Sequence, residues 1–143
     1  MYKSLLLLFF ASLLLSACSS SKKAARPAPA IRDENRFELT AISDDPTYGY
    51  KQENPVKVGG AREQSGPANE RRFLNALTGP NGETISYHRK GSCCPFKTPN
   101  GFAGGGLLDM YEVTYEGLKK PIVIYINMYD AGELKAPQGF KFK

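Results

Sequence analysis

Cysteine and histidine are scarce in this chain. Three cysteines and a single histidine, His88, stand among 143 residues, and two of the cysteines, Cys93 and Cys94, are adjacent. Such a supply leaves no fourth metal ligand at a familiar spacing. Long apolar runs are missing too. Leu5 to Leu15 is apolar apart from Ser12, whereas a membrane-spanning helix takes about 20 apolar residues. The formal net charge of +5 is mild for 19 basic and 14 acidic residues, and no nucleic-acid recognition motif accompanies it, so no nucleic acid is expected as a partner. The glycine-rich stretch "GFAGGG" lacks the Gly-Lys-Ser/Thr of a phosphate-binding loop and reads as a flexible loop. No internal repeat is visible, and neither a cofactor nor a metal is expected.

The N-terminus carries the first positive signal. Lys3 and the short apolar run that follows have the form of a signal peptide. Leu15-Ser16-Ala17-Cys18 then resembles the lipobox of bacterial lipoproteins. That resemblance implies a diacylglycerol on the Cys18 sulfur, removal of residues 1–17 and acylation of the new amine, and several acyl chains hold a protein stably at a membrane. Residues 1–17 are thus expected as signal peptide, 18–35 as lipidated cysteine and flexible tether, and 36–143 as the globular domain. Removal of the leader leaves 126 residues, a size suited to one domain. Lys22, Lys23 and Arg26 lie near the anchor, where they suit lipid headgroups or simply solubility. The residue after the modified cysteine is Ser19 rather than aspartate, and no acidic cluster follows. By resemblance to lipoprotein sorting rules, this favours the outer membrane and its periplasmic face.

The domain reads as α+β, mainly an antiparallel sheet with one short helix. "RFELTAIS" alternates Phe37, Leu39 and Ala41 against Glu38 and Thr40, as a strand does, and "NPVKVGG" offers a second strand through Val56 and Val58. Over residues 69–78, apolar residues at 73, 74, 76 and 77 predict a helix, with Asn69 as N-cap, Glu70 in the first turn and Gly79 as C-cap. A strand paired across "GPNG" is the rival for that segment. "LLDMYEVTYE" and "PIVIYINMY" form a hairpin rich in β-branched and aromatic residues, with Ile122, Ile124 and Ile126 facing the core.

Four readings compete for "GSCCPFKTPNG". In an oxidising envelope Cys93 and Cys94 can pair only with each other within the chain once Cys18 is lipidated. Neighbouring α-carbons lie about 3.8 Å apart, closer than the roughly 4.4–6.8 Å of relaxed disulfides, and Pro95 pushes Cys94 towards an extended backbone. The structural reading, a vicinal disulfide or a buried thiol pair holding the loop, leads. A redox pair, a metal site with His88, and a Cys nucleophile with His88 as base are the rivals. Elsewhere, Asp109, Glu112 and Glu116 are candidates for an acid/base pair. Tyr48 and Tyr50, and above all Tyr111, Tyr115, Tyr125 and Tyr129, are candidates for a surface that binds a sugar or a protein. Arg71 and Arg72 could meet an anion.

The segments "DPTYGYKQENPVKVGG", "GPANERRFLNALTGPNGE", "GSCCPFKTPNGF" and "YINMYDAGELKAPQGF" together resemble a family of small bacterial envelope lipoproteins, over about residues 44–140. That family has no established biochemistry, so the resemblance implies an envelope lipoprotein and no particular reaction. The chain is accordingly expected to be a lipid-anchored structural or interaction module, with an envelope protein or glycan as the candidate partner. The alternative is an envelope enzyme or a thiol redox protein using Cys93 and Cys94. Some members bear the name 2-dehydro-3-deoxyphosphooctonate aldolase. That activity implies a TIM barrel, which takes about 250 residues, and no catalytic residue of that enzyme carries over to a position here.

Overall fold

The computed structural model describes residues 29–143. The signal peptide, Cys18 and most of the expected tether lie outside the described residues. Chain order is β1 (Ile31–Asp33), β2 (Arg36–Phe37), β3 (Val56–Lys57), α1 (Gly66–Asn75), β4 (Leu77–Thr78), β5 (Ile85–Lys97), β6 (Gly105–Tyr115), β7 (Ile122–Asn127) and β8 (Lys141–Phe142). The central sheet runs β3-β7-β6-β5, with β5, β6 and β7 antiparallel and β3 parallel to β7. Two small antiparallel pairs, β1 with β2 and β4 with β8, complete the α+β domain. A mixed four-stranded sheet with one α-helix is not the eightfold strand–helix repeat that the aldolase name implied.

The hairpin of β6 and β7 follows the alternation of its residues. Tyr111 pairs with Ile124 and Val113 with Ile122, so both strands turn these side chains to one face. Val56, Ile124 and Ile126 are fully buried there, and Phe73 and Leu74 of α1 cover them together with Phe37, Leu39, Leu77 and Phe140. Each such side chain contributes about 1.5–3 kcal/mol by leaving water.

Three expectations change in detail. The helix starts a turn earlier than Asn69, because Pro67 presets the backbone of the first turn after Ser65. Asn69 lies inside it, donating to the Gly59 carbonyl at 3.1 Å and accepting from Arg72. The helix ends at Asn75, and Leu77 and Thr78 leave it to pair with β8 rather than running on to Gly79. The strand expected from "RFELTAIS" is shorter. Only Arg36 and Phe37 pair, with β1, and Ile42 forms an isolated bridge to Ala136. The hairpin β1–β2 therefore begins inside the stretch assigned to the tether. The run "GFAGGG" is not wholly loop: a 3₁₀ turn covers Phe102–Gly104, and Gly105 and Gly106 belong to β6.

Candidate functional site

Cys93 and Cys94 are joined as a disulfide with α-carbons 3.7 Å apart. Pro95 favours an extended Cys94, yet Cys94 sits in the left-handed region at φ 58°, a conformation that costs a side-chain-bearing residue free energy. Between the pairs Cys93↔Leu108 and Phe96↔Gly106, β5 uses three steps where β6 uses two. The bonded pair therefore sits on a β-bulge at the sheet edge, where the ladder is already interrupted. Both cysteines are half-buried.

Ser92, next to the pair, opens onto a polar network beneath the sheet. A second bulge, at Lys90, puts Arg89 and Ser92 opposite Tyr111 and Asp109, on the same inner side of β6. Arg89 grips Asp109 with two bonds, Nε to Oδ2 at 3.0 Å and Nη2 to Oδ1 at 2.9 Å. Ser92 Oγ donates to Oδ1 at 2.6 Å. Burial alone would raise the Asp109 carboxyl, but these bonds outweigh it and hold the group below its ordinary value.

Asp109 also meets Glu70, which reaches in from α1. Glu70 is 1% exposed. Tyr111 Oη donates to its Oε2 at 2.9 Å, while no N–H or O–H reaches its Oε1. Burial first, and the Asp109 carboxylate second, push Glu70 up to about 7. Below that pH the Glu70 carboxyl is neutral, and its proton is the donor that Asp109 can take. Glu70 was placed in the first helical turn by sequence. The missed signal is its spacing with Phe73, Leu74 and Leu77, which marks the buried face of the helix.

A third cluster fixes "KTPNG" to "NMYD". Thr98 Oγ1 and Asn100 Nδ2 donate to Asp130 Oδ1 at 2.6 and 2.9 Å, and Asn127 Nδ2 donates to Oδ2 at 3.0 Å. Burial would raise Asp130, but the three donors prevail and lower it. Gly101 closes this turn. A Cβ there would stand 1.8 Å from the Gly105 carbonyl oxygen. Gly101→Ala is accordingly expected to cost about 1–3 kcal/mol as an overpacking substitution, read as a lower urea midpoint at unchanged slope. An unchanged midpoint would show that the turn yields freely.

Other candidates do not converge. His88 projects from β5 five residues before Cys93, roughly 13–17 Å of strand away, and its Nε2 lies 3.8 Å from Glu112. Sulfur and imidazole therefore form neither a nucleophile–base pair nor a shared metal site, and no group of three potential metal ligands occurs among the described residues. Asp109 and Glu112 project from opposite faces of β6, Glu112 pairing with Lys90 at 3.1 Å. The tyrosine surface divides as well. Tyr111 is buried, and Tyr115 packs on the core against Phe140. Tyr125 pairs with Met110 on the other face, and Tyr129 meets the Phe96 ring edge-on. Tyr48 Oη accepts from the Lys135 backbone N–H, and Tyr50 Oη donates to the Gln138 carbonyl, so both pin the C-terminal segment. Arg72 donates to the Glu34 carbonyl and to Asn69. No described helix is long and apolar enough to cross a membrane. Comparison of the chain with protein-family models, with curated proteins and with solved structures finds no match.

Proposed function

We propose that this chain is a lipid-anchored module of the cell envelope, held through acyl chains on Cys18 at the periplasmic face of the outer membrane, with a structural or interaction role. The observation that carries the reading is the Cys93–Cys94 disulfide. An oxidised pair suits a compartment outside the reducing cytoplasm, and the leader of residues 1–17, with its lipobox Leu15-Ser16-Ala17-Cys18, addresses the chain there. Two of the acid groups, Glu70 and Asp109, are buried and held by Tyr111, Arg89 and Ser92. An envelope protein or glycan is the partner this reading calls for.

The full chain expressed in an enteric-type bacterium provides the test. Its mature mass is expected to equal residues 18–143 plus a diacylglyceryl and an N-acyl group, with two alkylations under denaturing conditions only after reduction. It should fractionate with the outer membrane, and Cys18→Ser should lose both the lipid and that location. A wild-type chain without acyl mass overturns the reading. A thiol redox protein is the second reading, favoured by the left-handed Cys94, which reduction would release. A reduction potential within the envelope range, rather than below about −300 mV, would favour the switch over the clamp.

A further inference from the structure

Phe102 is 95% exposed, more than any other large apolar side chain among the described residues. It stands at the tip of the β5–β6 connection on a base that is fixed on several sides. Thr98 and Asn100 bind Asp130, the Thr98 N–H donates to the Gly104 carbonyl at 3.0 Å, and Arg62 Nη2 donates to the Pro99 carbonyl at 2.6 Å. An isolated exposed apolar residue is ordinary on a protein surface. Two further features set this one apart.

The first is charge. Arg62 lies against the loop and Lys97 enters it from β5, both exposed and neither with an acidic partner among the described residues. The second is the position of the chain's N-terminal side. Pro29 lines a cavity of about 400 Å³ with Gly60 and Glu63, and Arg62 of the adjoining turn is the residue that holds Pro99. The chain thus enters the domain next to the turn whose Arg62 binds the Phe102 loop. Ten residues lie between Cys18 and Pro29, a reach of at most about 40 Å over the eleven steps of chain.

We propose that the Phe102 loop docks into the phospholipid surface to which Cys18 is attached, and this rests on the lipid-anchored reading. The ring enters the boundary between headgroups and acyl chains, while Arg62 and Lys97 meet headgroup phosphates. One aromatic ring binds a bilayer weakly by itself. The anchor raises the local concentration of membrane, so the weak contact becomes an intramolecular one. The domain is then held in one orientation on the membrane.

The chain contains no tryptophan, so Phe102→Trp installs a single indole reporter at an exposed site. The full-length acylated variant is reconstituted into phosphatidylethanolamine/phosphatidylglycerol vesicles with and without brominated acyl chains. Blue-shifted emission that the brominated chains quench is expected, with quenching reduced when Arg62→Gln and Lys97→Gln are added. Water-like, unquenched emission from a protein whose mass shows acylated Cys18 overturns the docking alone. Emission that is blue-shifted in native membranes but unquenched in the vesicles places the ring against a protein, which also overturns it. A chain without acyl mass removes the anchored reading and the docking with it.

Discussion

Glu70→Gln is expected to stabilise the domain at about pH 8 and to leave it nearly unchanged at about pH 5. In the folded chain burial and the Asp109 carboxylate raise the Glu70 carboxyl from 4.5 to about 7. A raised acid binds its proton more tightly when folded than when unfolded. Its contribution is therefore complete below the unfolded value near 4.5 and is lost as pH rises through about 7. A shift of that size corresponds to roughly 3 kcal/mol at its upper limit. Asp109 acts in the opposite sense. Its lowered value contributes stability that is present above its ordinary 3.8 and is lost as pH falls. Stability should accordingly peak between about pH 4 and 5 and decline towards neutrality. A glutamine amide keeps the Tyr111 bond through its oxygen and supplies a permanent N–H to Asp109, so the variant's profile should be flat over the range where the parent declines. Urea midpoints at the two pH values measure this. A parent protein equally stable at both would mean that Glu70 is already ionised in the folded state.

The sheet was legible in the sequence where alternation runs unbroken. Ile122, Ile124 and Ile126 declare the core face of β7, and the β6–β7 pair emerges where β-branched and aromatic residues cluster. Cross-strand register and bulges were not legible, since neither leaves a periodic trace. Tyr111 reads as a half-exposed strand tyrosine until its pairing with Ile124 turns it inward onto Glu70. Arg89 and Ser92 are three apart, which places them on opposite faces of a regular strand. Only the extra residue at Lys90 brings both onto Asp109. The adjacent cysteines are plain in the sequence, but Pro95 favours an extended Cys94, whereas in the closed disulfide Cys94 is left-handed. The apolar spacing marks the helix over residues 69–75, but both ends differ: Pro67 outweighs Asn69 as the start signal, and Leu77 and Thr78 leave the helix to pair with β8.

Arg89→Ala should produce the largest loss among these substitutions. Removing one partner from a buried ion pair leaves an uncompensated charge, which typically costs about 3–5 kcal/mol. The Asp109 side chain is only 6% exposed while that of Arg89 is 48% exposed. Water admitted on the arginine side places the loss at the low end, about 3 kcal/mol. Asp109 then keeps only Ser92 as a fixed donor and faces Glu70 across the site. Two carboxyls in that position share one proton more readily than they bear two charges. The deficit of Arg89→Ala should thus shrink as pH falls towards about 4, because protonation supplies what the guanidinium no longer does. Asp109→Asn in the same chain should recover part of the loss at neutral pH, and the double-mutant cycle isolates the coupling. A neutral-pH loss under about 1 kcal/mol, the range of exposed pairs, would show that the Asp109 charge is solvated through an opening at the sheet edge. The bulge at Lys90 would then be a device for blunting that edge rather than for delivering Arg89 to Asp109.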